Sequence, residues 1–303
     1  MDEPRYLLVT ADDFGIGPET SRGILDLAAK GVLTSTVLLV NSPYAAECVG
    51  MWRRAGGPIE LGWHPCLTLD SPILAPHKIP SLVDEQGHFL KLGTLLKRLL
   101  MGRIIRQEVE AEFQAQFDRF IELVGFPPAN VNAHHHVHIF RPIGDALAAV
   151  LADVTPRPYV RRVVESAGTL ARIPGARIKR VVLTQFGRRS ARRQQAFKMP
   201  GNEWLLGITD PPYVHDSHFF HRWLQNAPGQ FVELTCHPGY LDATIAGRDG
   251  SFADGQLHRR QRELELLGNA NIQDFTSRFT LVSASELAAL QDDRVLSGTR
   301  WAG

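Results

Sequence analysis

Cysteine is scarce in this sequence: three residues in 303, Cys48, Cys66 and Cys236. An odd number at wide spacing excludes a disulfide framework and fits buried thiols in a reducing compartment. An excess of one charge is also missing, since 33 Lys and Arg against 32 Asp and Glu leave a formal net charge of +1. That balance offers no global attraction to nucleic acid or to an anionic membrane. No run approaches the roughly 20 apolar residues of a membrane span. Met1-Asp2-Glu3-Pro4-Arg5 leads directly into a short apolar strand, without the longer apolar core of a signal peptide. The expectation is a cytoplasmic protein with no transmembrane segment and no nucleic-acid partner. Internal repeats and low-complexity tracts are absent, and nothing resembles a heptad seam, so the oligomeric state stays open, a homodimer included.

With 44% hydrophobic residues, the chain has enough apolar side chains for a large core. Alternating signals run along it. Tyr6 to Thr10 is a short apolar run ending in Ala11-Asp12-Asp13-Phe14-Gly15, and a helix follows with Pro18 in its first turn and Gly31 at its stop. The pattern recurs with Thr36 to Val40 before a helix from Pro43 to Trp52, Ile59 to Trp63, and Val131 to His136 before a helix from Ile143 to Leu151. Later strand candidates are Tyr159 to Val163, Trp204 to Ile208, Phe231 to Cys236 and Phe279 to Val282. Such alternation implies an α/β domain with a parallel sheet, either a closed barrel or an open doubly wound sheet. One domain over 1–303 is expected, with insertions near 70–125 and 165–200. The first holds a long loop, Pro72 to Gly93, then a helical segment from a Thr94 cap to Val124. The second lies in Arg157 to Lys198, where twelve Arg and Lys face a single acid, Glu165. A solvated helical face accounts for that bias most simply. A substrate carrying phosphate, or one presented at a membrane surface, is the alternative, with Arg161 or Arg162 at a strand end able to reach the site.

Four expected strand ends carry Asp or His. Adjacent carboxylates at Asp12 and Asp13 repel one another when buried and need a cation or hydrogen-bond donors nearby. A helix N-terminus accounts for one such Asp, but less easily for two. In His134-His135-His136-Val137-His138, strand alternation puts His134, His136 and His138 on one face and His135 on the other. Convergent imidazoles suit zinc or a similar divalent ion, although a polar loop is the plain alternative. His64 follows a third strand and His237 a fourth, each weak evidence alone. α/β folds place their sites at the C-terminal edges of strands, so the four together point to metal-assisted hydrolysis. Trp63 and Tyr240, beside or near motif histidines, are candidates to stack on a sugar ring, though packing is the plainer explanation of such aromatics.

The motifs Thr10-Ala11-Asp12-Asp13-Phe14-Gly15, Gly62-x-His64-x-x-Leu67-Thr68, His134-His135-His136-Val137-His138 and Cys236-His237-Pro238-Gly239-Tyr240 resemble those of the YdjC/ChbG-like carbohydrate deacetylase family. The similarity covers most of the chain. The resemblance implies a (β/α) barrel of the glycoside hydrolase/deacetylase type, distorted or seven-stranded, that removes an N-acetyl group from an amino sugar, oligosaccharide or glycolipid. It implies one divalent metal ion, magnesium or zinc, held by Asp13, His64 and His134, with Asp12 as base. His237 falls on the late active-site histidine, and chemistry suggests it as general acid. His136, His138, Arg161, Trp63 and Tyr240 are then candidates for substrate binding. Asn132 departs from the family, which often has Asp there. Rival functions are a different metallohydrolase of amide or phosphoester bonds using His134 and His136 as a pair, and a non-catalytic sugar- or glycolipid-binding barrel.

Overall fold

The strand from Tyr6 to Phe14 is buried from its second residue to its last, which is why it reads as a nearly continuous apolar run with two carboxylates at its end. It is β1 of eight strands among the described residues: β2 is Ser35–Leu38, β3 Glu60–Trp63, β4 Asn130–Val131, β5 Tyr159–Val160, β6 Trp204–Leu206, β7 Phe231–Cys236 and β8 Thr280–Leu281. The structure, a computed structural model, describes residues 3–248, 255–269 and 277–296. All eight strands pair in parallel in the order β5-β4-β3-β2-β1-β7-β6, with β8 on the lower half of β1. Parallel neighbours need crossovers, and helices supply them. They are α1 Pro18–Ala29, α2 Ala45–Arg54, α3 Leu92–Leu100, α4 Arg106–Val124, α5 Ile143–Val150, α6 Ala167–Arg172, α7 Arg177–Ala196, α8 Phe219–Gln225, α9 Gly255–Gly268 and α10 Ala284–Leu296.

The sheet curls into a partial barrel. β5 and β7 stand five places apart in the strand order, about 24 Å in a flat sheet. Yet Tyr159 Oη on β5 donates to Glu233 on β7 at 2.7 Å. Between the outer strands β5 and β6 no ladder forms among the described residues, and single bonds from Val160 N–H to Pro200 O and from Leu205 N–H to Val164 O span the gap. The open-sheet alternative is therefore excluded, and the barrel is incompletely closed.

Two expected elements differ. The helical segment 94–124 is two helices, because Gly102 turns with φ +66° between α3 and α4, and the first starts after Lys91 with no Thr94 cap. The expected strand Val131–His136 ends at Val131, and a 3₁₀ turn over His134–Ile139 follows. Trp63 is fully buried, edge-on to Phe113 and Phe117 of α4 at 5.9 and 5.8 Å, and so has no face to offer a sugar. Trp63→Ala is expected to cost about 3–5 kcal/mol in chemical denaturation, the usual range for emptying a packed aromatic site.

The basic stretch becomes α6 and α7. Its single acid, Glu165, pairs with the fully buried Arg180, whose guanidinium lies 4.7 Å over Trp223. Arg188, Arg189 and Arg192 stay exposed.

Candidate active site

Consecutive residues on a strand point to opposite faces, so Asp12 and Asp13 should not meet at one site. A bulge brings them together. β1 pairs Ala11 with Thr36 and next Phe14 with Leu38, one residue more on β1 than on β2, and Asp13 adopts φ +66°. Both carboxylates are buried at the C-terminal end of the barrel.

Asp13 meets His64 and His134 there. Its Oδ1 lies 2.9 Å from His134 Nδ1 and 3.2 Å from His64 Nε2, and the two ring nitrogens are 3.3 Å apart. His64 Nδ1–H donates to the Asn132 carbonyl at 2.6 Å, which leaves Nε2 with a lone pair toward the triangle. This is the tautomer a metal-binding imidazole needs, fixed by its outer partner. An ion bonded at about 2.0–2.2 Å to three such donors would space them by about 2.8–3.6 Å, for angles between octahedral and tetrahedral. The triangle already has that size, so the residues fit a divalent cation. Arg260 Nη2 holds the other oxygen of Asp13 at 2.6 Å. Burial pushes the Asp13 carboxyl up, but Arg260 and His134 outweigh it and hold it well below the usual carboxylate range.

Asp12 sits beside this triangle on Arg161. The guanidinium places Nη1 and Nη2 on the two Asp12 oxygens at 2.6 and 2.8 Å. Its remaining N–H groups go to Glu233 Oε1, twice, and to Asn132 Oδ1. All five donors are thus used inside the barrel, and none is left for substrate. Arg161 is therefore a support for Asp12 and not a substrate contact. Burial raises the Asp12 carboxyl, and the Arg161 charge overrides it, so Asp12 stays ionised far below neutral pH. Asn132 has a physical reason here. One guanidinium already balances Asp12 and Glu233, and a third carboxylate at 132 would lack a counter-charge.

The histidine run does not alternate. His135 and His136 both take left-handed φ, +54° and +56°, and two such residues in a row turn the chain back on itself. The three-histidine face expected from strand geometry does not form. His134 lines the cavity with Asp13, His136 lines its wall, and the exposed His135, expected to face away, also borders the cavity and pairs with Thr68 Oγ1 at 2.9 Å. Burial and then the Arg161 charge lower the His136 imidazole well below its ordinary range, so it is neutral. His138 is buried: its Nδ1 accepts from Ala133 N–H and its Nε2–H donates to Arg161 O at 3.0 Å. It holds the turn and does not line the cavity. Burial pulls its pKa down to about 4. A folded pKa below the unfolded 6.5 means the unfolded chain binds more protons between pH 6.5 and 4, so stability is lost as pH falls through that window. Urea midpoints of wild type and His138→Gln, compared at pH 7 and pH 5, should show a steeper loss for wild type.

His237 completes the site, with Nε2 3.9 Å from Asp12 Oδ2. Arg259 Nη2 stands 3.3 Å from its Nδ1, and since guanidinium only donates, the ring proton sits on Nε2. Glu263 accepts from the His237 backbone N–H and from Arg259 Nε. Burial and then Arg259 lower His237 to about 4, so its resting form is neutral. His237 and Arg259, with Asp12 and the triangle, border a cavity of about 520 Å³ whose outer walls are apolar, with Leu92 and Leu96 of α3, Phe140, Ile208, and Val182 and Leu183 of α7. Tyr240 lies outside it, bonded to Asp26 at 2.7 Å with Arg22 over its ring, which removes the stacking expected from its place near His237. Sequence reasoning missed Arg259, Arg260, Glu263, Glu233 and Thr235, whose hydroxyl donates to Asp12 at 3.1 Å. The four-residue spacing of Arg259 and Glu263 on a helix was the one signal available.

An α/β partial barrel with paired carboxylates, imidazoles and a cavity at its strand ends belongs to the class of barrel proteins with a candidate metal centre at the carboxyl edge. The sequence narrows the class. A family model described as YdjC-like protein matches residues 6–278, and the chain belongs to this family. It is 28% identical over 274 residues to a carbohydrate deacetylase of Enterococcus faecalis, covering 89% of this chain and 92% of that one. A chitooligosaccharide deacetylase of Serratia marcescens is 29% identical, with 87% and 90% covered, and a mouse carbohydrate deacetylase 30% identical, with 84% of each covered. Among solved structures, a provisionally named cellobiose-phosphate cleavage protein of Enterococcus faecalis superposes with a TM-score of 0.72 at 25% identity, over 94% of this chain and 99% of that one. No helix among the described residues is long and apolar enough to cross a membrane.

Proposed function

We propose that this protein is a metal-dependent carbohydrate N-deacetylase, removing acetyl from an amino sugar carried on an oligosaccharide or a glycolipid. The observation that carries this is the juxtaposition of the Asp13, His64 and His134 triangle with an ionised Asp12 that is not one of its corners. A binding barrel has no need of a second carboxylate held ionised beside a metal triangle, and the names of the relatives agree with hydrolysis. Two imidazoles and one carboxylate suit zinc better than magnesium, which prefers an all-oxygen shell. Bound there, the ion supplies Lewis acidity toward the acetamide carbonyl and toward water.

Asp12 accepts the proton of the attacking water, and Arg161 and Thr235 fix its oxygens while it does so. The nitrogen must gain a proton before the C–N bond breaks. With His237 neutral, Asp12 itself hands the proton it took from water to the nitrogen, and the His237 Nε2–H, 3.9 Å from Asp12, stays in place as a hydrogen-bond donor to the reacting group. The ring begins and ends neutral, in agreement with the Arg259 contact. His136 and His135, on the cavity wall, are placed to bond sugar hydroxyls.

The test is acetate release from a panel of N-acetylated sugars and glycolipids by metal-loaded protein, with and without chelator, read by mass spectrometry. Release that chelation abolishes and metal restores is the expected result. Sugar binding without turnover, insensitive to chelator, would overturn the proposal.

A further inference from the structure

The chain is nearly neutral overall, yet its charge is not spread evenly. Residues 90–107 contain five Lys and Arg and no acid, and residues 177–198 contain eight and no acid. These segments are α3 with its following turn, and α7. Both wall the cavity, α3 through Leu92 and Leu96, α7 through Lys179, Val182 and Leu183.

Both also carry apolar side chains beyond the cavity into solvent. Leu100 follows Leu96 by one helical turn and is 83% exposed; Ile178 precedes Val182 by one turn and is 84% exposed. Met101, Ile105, Val181 and Val182 are between 44% and 50% exposed. Seven of the eleven large hydrophobic residues exposed among the described residues, Phe197 included, therefore lie on these two segments. Scattered surface leucines need no explanation, but a group around one cavity does.

We propose that this face, α3 and α7 with the cavity between them, docks on an anionic lipid bilayer. The pattern selects the partner. Leu, Ile, Val and Met interleaved with Lys and Arg, without a single acid, match an interface of anionic headgroups over acyl chains. A nucleic acid would answer the arginines but leave Leu100 and Ile178 in water. A protein partner of this chain's own average composition would bring as many acids as bases, and two copies would set basic helices against each other. Several of the cations are free to act: Arg188, Arg189 and Arg192 are exposed, while Arg180 is consumed by Glu165 and Arg193 reaches Asp145. The bilayer would meet the mouth of the cavity directly, so that a headgroup could enter while its apolar part stayed against Leu96 and Val182. The surface is argued from exposure and charge alone and stands whether or not the protein is a deacetylase.

Co-sedimentation with vesicles tests it. The full chain is expected to bind phosphatidylcholine vesicles containing phosphatidylglycerol and to leave pure phosphatidylcholine vesicles in the supernatant. Leu100→Asp with Ile178→Asp should weaken binding by at least about tenfold, and Arg188→Glu with Arg189→Glu should do the same and reduce its salt sensitivity. All four positions are on the surface, so unchanged thermal melting is expected of both variants. Failure of the wild type to bind anionic vesicles would overturn the proposal. Equal binding by the Leu100/Ile178 variant would do so too, since attraction to charge alone is not docking. A wild-type dimer that this variant converts to monomer in sedimentation velocity, without loss of vesicle binding, would assign the apolar residues to self-association instead.

Discussion

Asp12→Asn is expected to leave the melting profile recognisable and to lower kcat for acetate release by about 10²–10⁴-fold, the usual contribution of a positioned general base. The amide keeps the shape of the carboxylate, and its one oxygen can accept from Arg161 Nη1 and Thr235 while its NH2 meets Arg161 Nη2, so the variant should melt lower, but KM for the N-acetyl sugar should move little. What it loses is the capacity to take a proton. Steady-state kinetics on any substrate found in the panel separates the two constants. A variant with wild-type kcat would remove Asp12 from the chemistry. The carboxyl is held far below its ordinary range by Arg161, so it remains ionised wherever the protein is folded. Its titration should therefore leave no limb in the pH profile near neutrality.

The second large effect concerns the triangle. Zinc added to apo wild type at about a hundred times its dissociation constant should stabilise the folded state by about 2.7 kcal/mol, because the ion binds only the assembled site. His64→Ala should abolish this shift and reduce metal content after desalting to background. Its own melting temperature, measured without metal, gives the structural cost of losing the bond to the Asn132 carbonyl. Metal analysis and calorimetry read this without any substrate, so the outcome is independent of the deacetylase proposal. Retained stoichiometric metal in His64→Ala would show that the donors lie elsewhere.

The sequence announced the sheet because buried parallel strands are written as apolar runs, and β7 spans Phe231–Cys236 as its composition predicts. It announced the strand ends because Asp and His are conspicuous after such runs. The partial barrel and the family followed from the motifs taken together. What was not legible depends on closure of the sheet. Arg161 stood out as a cation at a strand end, but its partners Asp12 and Glu233 lie across the barrel, and nothing local in the sequence pairs them. The histidine run misled for a different reason. Alternation presumes extended backbone, and two left-handed residues at 135 and 136 redirect every side chain after them. Trp63 shows the limit of proximity in sequence. It adjoins His64, yet strand alternation sends it outward into α4 while its neighbour faces the site.

The bulge at the end of β1 has a mechanical meaning. The proposed base and one corner of the triangle are joined by a single peptide unit, about 3.8 Å from Cα to Cα. Breathing of the barrel, exchange of core residues or insertions in the crossovers displace both together and leave their separation nearly as it was. His64, His134 and His237 arrive from other strands and must each be held in place by outer partners, the Asn132 carbonyl, Thr68 through His135, and Arg259. Tolerance to sequence drift should differ accordingly: the spacing of the two aspartates is calibrated by covalent geometry, and that of the histidines by neighbours that can be lost one at a time.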